Sequence, residues 1–133
     1  MHLNIDTRSS IPLYQQIVDG IKSAVAKGIY NPGDRIPTVR EMASQLTINP
    51  NTIAKAYHKL EQEGVIVTMR SRGTFIVERK DAPDENGVNE VLKPLLERLR
   101  VEAFHLGIGT KDLKKLVFET FEEWEKERRD IEK

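Results

Sequence analysis

The chain has 133 residues, 38% of them hydrophobic, and its 21 Lys and Arg side chains balance its 21 Asp and Glu side chains. These values are typical of a globular protein with one ordinary domain, or with a small domain plus an appendage. The chain contains no cysteine, which excludes disulfides, thiol catalysis and cysteine-ligated metals.

Neither a signal peptide nor a membrane span is expected from the apolar segments. The stretch "MHLNIDTRSS" at the start has no apolar core. No apolar run elsewhere approaches the roughly 20 residues that are needed to cross a bilayer. We therefore expect a cytoplasmic protein with no membrane partner.

The charges are unevenly distributed along the chain. Residues 1–80 hold eleven Lys and Arg against seven Asp and Glu, whereas residues 81–133 hold ten against fourteen. A basic first half hints at an anionic partner, although chance variation in solvated charge gives the same pattern.

The segment "IPLYQQIVDGIKSAVAKG" predicts a long amphipathic helix, with Ser10 as its cap and Gly28 at its end. Gly20 lies inside this helix, where it costs about 1 kcal/mol relative to Ala. A close contact with another helix would explain the glycine.

Two shorter helices follow. In "TVREMASQLT", Thr38 is expected to cap the helix, with Glu41 in capping-box spacing. In "NPNTIAKAYHKLEQEG", Asn49 suits the N-cap, Pro50 the first helical position and Gly64 the position after the end. Two short helices joined by a tight turn and braced by a longer one predict a helix-turn-helix.

The apolar period then changes to that of strands. "VIVTM" and "TFIVE" are rich in β-branched residues, and "RSRG" between them predicts a hairpin with Gly73 in the turn. The predicted fold is therefore α+β and mostly helical, with a winged helix-turn-helix over residues 10–79.

A linker over residues 80–87 and a two-helix region over residues 88–133 complete the predicted organisation. Pro94 must lie in the first turn of its helix or kink that helix, and Thr110 is expected to cap the last helix. Both helices carry apolar stripes with little to cover them except a second copy of the chain. The expected dimerisation residues are Leu92, Leu95, Leu99, Val117, Phe121 and Trp124.

The second short helix has no acid in its first turn, where the helix dipole favours an anion. A solvated polar face is the plain interpretation. In a helix-turn-helix, however, the start of the second helix meets base edges in the major groove. Arg70 and Arg72 in the hairpin turn either protect a sheet edge or reach DNA, and Arg40 is placed to contact the DNA backbone.

The sequence gives little support for metal binding, for a phosphate-binding loop or for catalysis. His2, His58 and His105 are far apart and lack the spacing of metal ligands, so no metal site is expected. The segment "GIGT" lacks the strand and glycines of a phosphate-binding loop. We find no catalytic constellation and expect neither an enzyme nor a cofactor.

The segments "GDRIPTVREMA", "NPNTIAKAY", "LEQEGVI" and "RGTFI" occur in this order across residues 11–77, which resembles the winged helix-turn-helix of the GntR family of bacterial transcription regulators. Many members carry a basic residue where Ala54 stands, a difference for which Lys55 would compensate. The resemblance implies DNA contacts from the first short helix, the start of the recognition helix and the wing tip. These positions are Arg40, Asn49, Asn51, Thr52, Lys55, Arg70, Ser71, Arg72 and Gly73.

The region after the hairpin, about 50 residues, is too short for a large effector domain or for an aminotransferase-like domain that binds pyridoxal phosphate. It resembles the YtrA subfamily, whose two-helix tail serves dimerisation. The resemblance implies a homodimeric repressor of transporter genes that binds a pseudo-palindromic operator in double-stranded DNA, and leaves an effector open. The alternative is a winged-helix protein-interaction module that does not bind DNA.

Overall fold

The computed structural model of the protein describes residues 3–78 and 83–132, which belong to two compact units that divide after Glu78. The first unit holds three helices and three strands, and the second holds two helices. In chain order the elements are α1 (Leu13–Ala26), β1 (Arg35–Ile36), α2 (Val39–Leu46), α3 (Pro50–Gln62), β2 (Ile66–Met69), β3 (Gly73–Ile76), α4 (Glu85–His105) and α5 (Thr110–Glu132).

Both short helices begin as their sequences predict. The Thr38 hydroxyl accepts a hydrogen bond from the Glu41 amide at 3.2 Å, and the Asn49 side chain accepts one from the Asn51 amide at 2.8 Å. Gly64 follows α3 with a φ of 74°, a conformation that favours glycine. The predicted helix-turn-helix is confirmed as α2 and α3.

The predictions for α1 are partly wrong. Pro12 occupies the N-cap position and no side chain caps the helix, so Ser10 lies too far upstream to cap it. Gly28 follows the helix with a φ of 79°, as expected. The close contact at Gly20 comes from the N-terminal segment rather than from a helix, because an added Cβ would lie 2.6 Å from Leu3 Cδ2.

The predicted hairpin is β2–β3, and β1 joins it to form a three-stranded antiparallel sheet in the order β1-β3-β2. Ile36 in β1 pairs with Thr74, which also pairs with Thr68 in β2. Sequence inspection missed β1, because a strand of two residues is too short to show a period.

One apolar core holds this unit together. Its fully buried side chains come from all three helices and from the sheet: Ile17, Ile21, Ile36, Met42, Ile53, Leu60 and Ile66. The Tyr57 hydroxyl donates a hydrogen bond to the Pro37 carbonyl at 2.6 Å, which ties α3 to the segment before α2. Burial raises the pKa of Tyr57, so its hydroxyl keeps the proton that makes this bond.

Helix α4 begins at Glu85, three residues before the start of the predicted helical region at residue 88. Asp84 caps α4 by accepting a hydrogen bond from the Gly87 amide at 2.8 Å, so α4 takes in the end of the predicted 80–87 linker. Residues 80–82 of that linker lie outside the described ranges. Pro94 lies well inside α4, and Thr110 is the first residue of α5 rather than its cap.

The apolar residues of the second unit are mostly exposed. Between residues 83 and 132 only Ala103 and Leu113 are buried, and both lie close to the turn between α4 and α5. Away from that turn, the two helices leave their apolar stripes uncovered. No helix within the described ranges combines the length and the apolar character that a bilayer crossing requires.

Candidate nucleic-acid interface

The start of α3 presents a positive helix end to the surface. Its first turn contains no acidic residue, and the Asn49 side chain satisfies only the Asn51 amide. Asn51 is exposed and Thr52 is half-buried, while the next residue, Ile53, is fully buried in the core. The core therefore anchors the helix from behind and leaves Asn51 directed to the outside.

An open groove of about 580 Å³ runs between α3 and the β2–β3 hairpin, which we call the wing. The α3 side of the groove is formed by Ala54, His58 and Glu61. The opposite side is formed by the wing tip, which comprises Arg70, Ser71, Arg72 and Gly73. Four of the predicted site residues therefore lie together across the groove from α3.

A tight turn shapes the wing tip. Ser71 has a φ of 68° and Gly73 a φ of 120°, and the Arg72 amide donates a hydrogen bond to the Met69 carbonyl at 3.1 Å. Both arginines remain exposed. They form salt bridges with no described residue, so both guanidinium groups are available to an external anion.

The three-stranded sheet that contains the wing is attached to both helices of the helix-turn-helix. The Thr68 hydroxyl donates a hydrogen bond to the Glu61 carboxylate at 2.5 Å, which joins β2 to α3. Arg35 Nη2 lies 3.6 Å from Glu41 Oε1, which joins β1 to α2. The position of the wing tip relative to α3 is therefore determined by direct contacts.

Residue 73 is a glycine because its φ of 120° disfavours other residues, and the Arg35 side chain lies beside it. A Cβ at position 73 would lie 2.8 Å from Arg35 Nε. Arg35 lines the same groove, and sequence inspection did not single it out. The only signal was its place in "GDRIP", where β1 is too short to be recognised.

Lys55 and Lys59 lie on the side of α3 that faces α1. Lys55 Nζ lies 4.0 Å from the centre of the Tyr14 ring, a cation–π distance. Lys59 Nζ donates a hydrogen bond to Gln15 Oε1 at 2.6 Å. Lys55 is exposed and is not among the residues that line the groove, so its charge lies at the border of α3 and α1.

Arg40 lies apart from the groove. It lines a second, shallower depression at the turn between α2 and α3, together with Ser44, Thr47 and Pro50. The predicted site residues therefore form three groups on the first unit: Arg40 at the turn, the start of α3, and the wing tip. Within the described residues, no cluster of three or more His, Asp or Glu is placed to hold a metal ion.

Comparison with known proteins places this surface in a family. Residues 13–76 match the model of the bacterial regulatory proteins of the gntR family. The HTH-type transcriptional repressor YtrA of Bacillus subtilis is 42% identical over 111 residues, which are 84% of this chain and 85% of that protein.

Solved structures extend the similarity to both units. A transcriptional antiterminator from Listeria monocytogenes has 34% identity and a TM-score of 0.83, over 93% of this chain and 92% of that one. YtrA from Sulfolobus acidocaldarius, a GntR-family transcription factor, has 36% identity and a TM-score of 0.58, over 71% of this chain and 97% of that one.

These relatives are transcription regulators and not enzymes, and their similarity covers the helix-turn-helix, the wing and the groove between them. The chain therefore belongs to the GntR family of bacterial regulatory proteins, within it to the YtrA subfamily, and it is a DNA-binding transcription regulator.

Proposed function

We propose that the protein is a homodimeric repressor that binds a pseudo-palindromic operator in double-stranded DNA. The observation that carries this proposal is the acid-free start of α3 on the same unit as a wing tip whose two arginines form salt bridges with no described residue and face the middle of α3 across the groove. A recognition helix in the major groove and a wing on the adjacent backbone or minor groove use such an arrangement. The repressor role rests on the YtrA protein of Bacillus subtilis, which is named a repressor.

The three groups of site residues take different parts in this proposal. Asn51 and Thr52 read base edges, because asparagine can pair with adenine through two hydrogen bonds. Asn49 uses one lone pair of its side-chain oxygen to cap α3, which leaves its amide nitrogen and the second lone pair for DNA. Arg40, Lys55 and the wing tip neutralise phosphates or enter the minor groove.

The second unit provides the dimer contact. Leu92, Leu95 and Leu99 of α4 are 48%, 58% and 41% exposed, and Phe121 of α5 is 65% exposed. Val117 and Trp124 are half-buried beside them. Leaving this much apolar surface in water is unfavourable, and a second copy would cover it. Residues 10–79 then bind DNA, and residues 88–133 join the two copies.

Selection from a pool of randomised duplexes tests the function. We expect enrichment of one sequence repeated in inverted orientation, with half-site centres about 10 base pairs apart or a multiple of this. A protein-interaction module would enrich nothing, even at low salt. Recovery of the DNA bound in cells would then test whether the operators lie at transporter genes and would confirm action in the cytoplasm.

The wing arginines are expected to control the salt dependence of DNA binding. Replacing Arg70 and Arg72 by Ala removes two phosphate contacts in each subunit, so for the dimer the slope of log affinity against log salt should fall in magnitude by about 4. The loss should be similar on operator and on random DNA, because phosphates carry no sequence information. Fluorescence anisotropy at several salt concentrations measures both quantities.

Arg98 and Arg129 supply the matched control. Both are exposed arginines of the second unit, outside the groove. Replacing this pair by Ala changes the net charge by the same amount and should leave the slope unchanged. Equal slopes for wild type and the wing variant would remove the wing from the DNA-contacting surface.

A further inference from the structure

The exposed apolar stripes of α4 and α5 each have a charged row along one edge, and the two rows carry opposite charge. This arrangement specifies which helices meet in the dimer. The inference rests on the dimer proposed above and adds its helix pairing.

The row on α4 is basic. Lys93 precedes Leu96 by three residues and Arg100 follows it by four, so the three side chains lie along one line of the helix. Both cations are exposed, and neither forms a salt bridge with a described residue. Leu96 is 61% exposed and belongs to the edge of the apolar stripe.

The row on α5 is acidic. Glu119 follows Leu116 by three residues and Glu123 follows by seven, so this row also starts from an exposed leucine at the edge of the stripe. Glu119 and Glu123 are exposed and form no salt bridge with any described residue.

The two rows lie on opposite edges of their stripes. Viewed from the N-terminus of each helix, with 3.6 residues per turn, the basic row lies clockwise of the α4 stripe and the acidic row anticlockwise of the α5 stripe. Opposite edges of this kind face each other when two helices pack side by side in parallel, as in parallel coiled coils. An antiparallel pair of α5 helices would instead place the acidic row against its own copy.

We infer that α4 of one copy lies parallel to α5 of the other, with Lys93 and Arg100 beside Glu119 and Glu123 of the partner subunit. Lys93 lies eight residues after Glu85, the first residue of α4, and Glu119 lies nine residues after Thr110, the first residue of α5. The proposed pair has these two first residues at the same height. At a rise of about 1.5 Å per residue, these two charges differ in height by about one residue. A two-fold axis makes each contact occur twice.

Charge reversal on one row at a time tests the pairing in the full chain. Lys93→Glu with Arg100→Glu, and separately Glu119→Lys with Glu123→Lys, places like charges opposite each other in both halves of a homodimer. We expect each variant to raise the dimer dissociation constant by about tenfold or more in sedimentation velocity experiments at low salt. Lys115→Glu with Lys126→Glu reverses two charges on the α5 face opposite the stripe and should leave dimerisation unchanged.

An equimolar mixture of the two row variants is the decisive sample. In one half of the mixed dimer, the reversed α4 row of one subunit faces the reversed α5 row of the other. In the other half, the two unchanged rows face each other. Both contacts therefore pair opposite charges. Native mass spectrometry should show the mixed dimer well above the half that random association gives. High salt should remove this preference, because the charges are exposed.

The outcomes separate the pairing from the dimer itself. If both variants dimerise as wild type does and mix randomly, the parallel pairing of α4 with α5 is wrong while the dimer stands. A mixture that stays as weakly associated as its components also overturns the pairing. A wild-type chain that sediments as a monomer overturns the proposed dimer instead.

Discussion

A chain that ends at Glu78 is expected to be a folded monomer that binds operator DNA about 10²- to 10⁴-fold more weakly than the full protein. The first unit has its own core, with Ile17, Met42, Ile53 and Leu60 fully buried, so it does not need the second unit to fold. The lost affinity comes from the link between two half-sites, which makes the second contact intramolecular in a dimer. Sedimentation velocity and binding titration on the selected operator measure both effects.

A full-length variant that cannot dimerise separates the effect of losing the dimer from the effect of removing α4 and α5. Leu99→Glu places a charge in the exposed apolar stripe of α4, where Leu99 is 41% exposed in the single chain. It should dissociate the dimer and weaken operator binding to a similar degree. Binding to an isolated half-site should remain unchanged in both cases. A truncated chain that stays dimeric with full affinity would refute the role proposed for α4 and α5.

Ile53→Ala is expected to destabilise the first unit by about 2–5 kcal/mol, the range for truncating a fully buried isoleucine. Ile53 is 0% exposed and follows directly after Asn51 and Thr52, so it attaches the start of α3 to the core. The truncation leaves a cavity in the core of the first unit. Urea denaturation followed by circular dichroism gives the change in the free energy of unfolding.

Ile29 allows the same chemical change at the surface. It is 51% exposed, so Ile29→Ala should alter the free energy of unfolding by less than about 0.5 kcal/mol. Equal effects of the two substitutions would mean that Ile53 does not anchor α3 as described.

Most of the first unit could be predicted because its signals are local. Thr38 and Glu41 mark the start of α2, Asn49 and Pro50 mark the start of α3, and the structure contains the corresponding capping hydrogen bonds. Gly64 marks the end of α3 with its positive φ. Caps, turns and apolar periods depend on neighbouring residues alone, so a single sequence reveals them.

The contacts that sequence inspection missed join different parts of the first unit, whereas the misplaced caps at Ser10 and Thr110 are local errors of one or two residues. Three such contacts depend on how the elements pack: Leu3 with Gly20, Arg35 with Gly73, and Thr68 with Glu61. No local sequence pattern predicts such a contact. β1 was missed for the same reason, because its two residues become a strand only by pairing with β3.

The charged rows of the second unit show a limit of a different kind. Every residue of these rows can be read from the sequence, but a stripe at helical spacing does not reveal what covers it. The structure of α4 and α5 shows that their apolar stripes are exposed, except near Ala103 and Leu113. The charged rows at the edges of the stripes then indicate which helix of the second copy covers each stripe.

We expect the start of α3 to read the DNA sequence. Asn51→Ala removes a side chain that is exposed and that contributes nothing to the core, while its backbone amide still bonds to Asn49. The fold should therefore survive. The lost base contact should cost about 1–3 kcal/mol on the operator and much less on random DNA.

Gln62 provides the comparison on the same helix. It is exposed at the last position of α3, about three turns beyond Asn51, where we expect the helix to lie outside the major groove. Competition titrations of Asn51→Ala and Gln62→Ala on operator and random DNA measure this difference. We expect a large, operator-specific loss of affinity for Asn51→Ala and no loss for Gln62→Ala. Equal affinities of the two variants on both DNAs would mean that the start of α3 does not read the sequence.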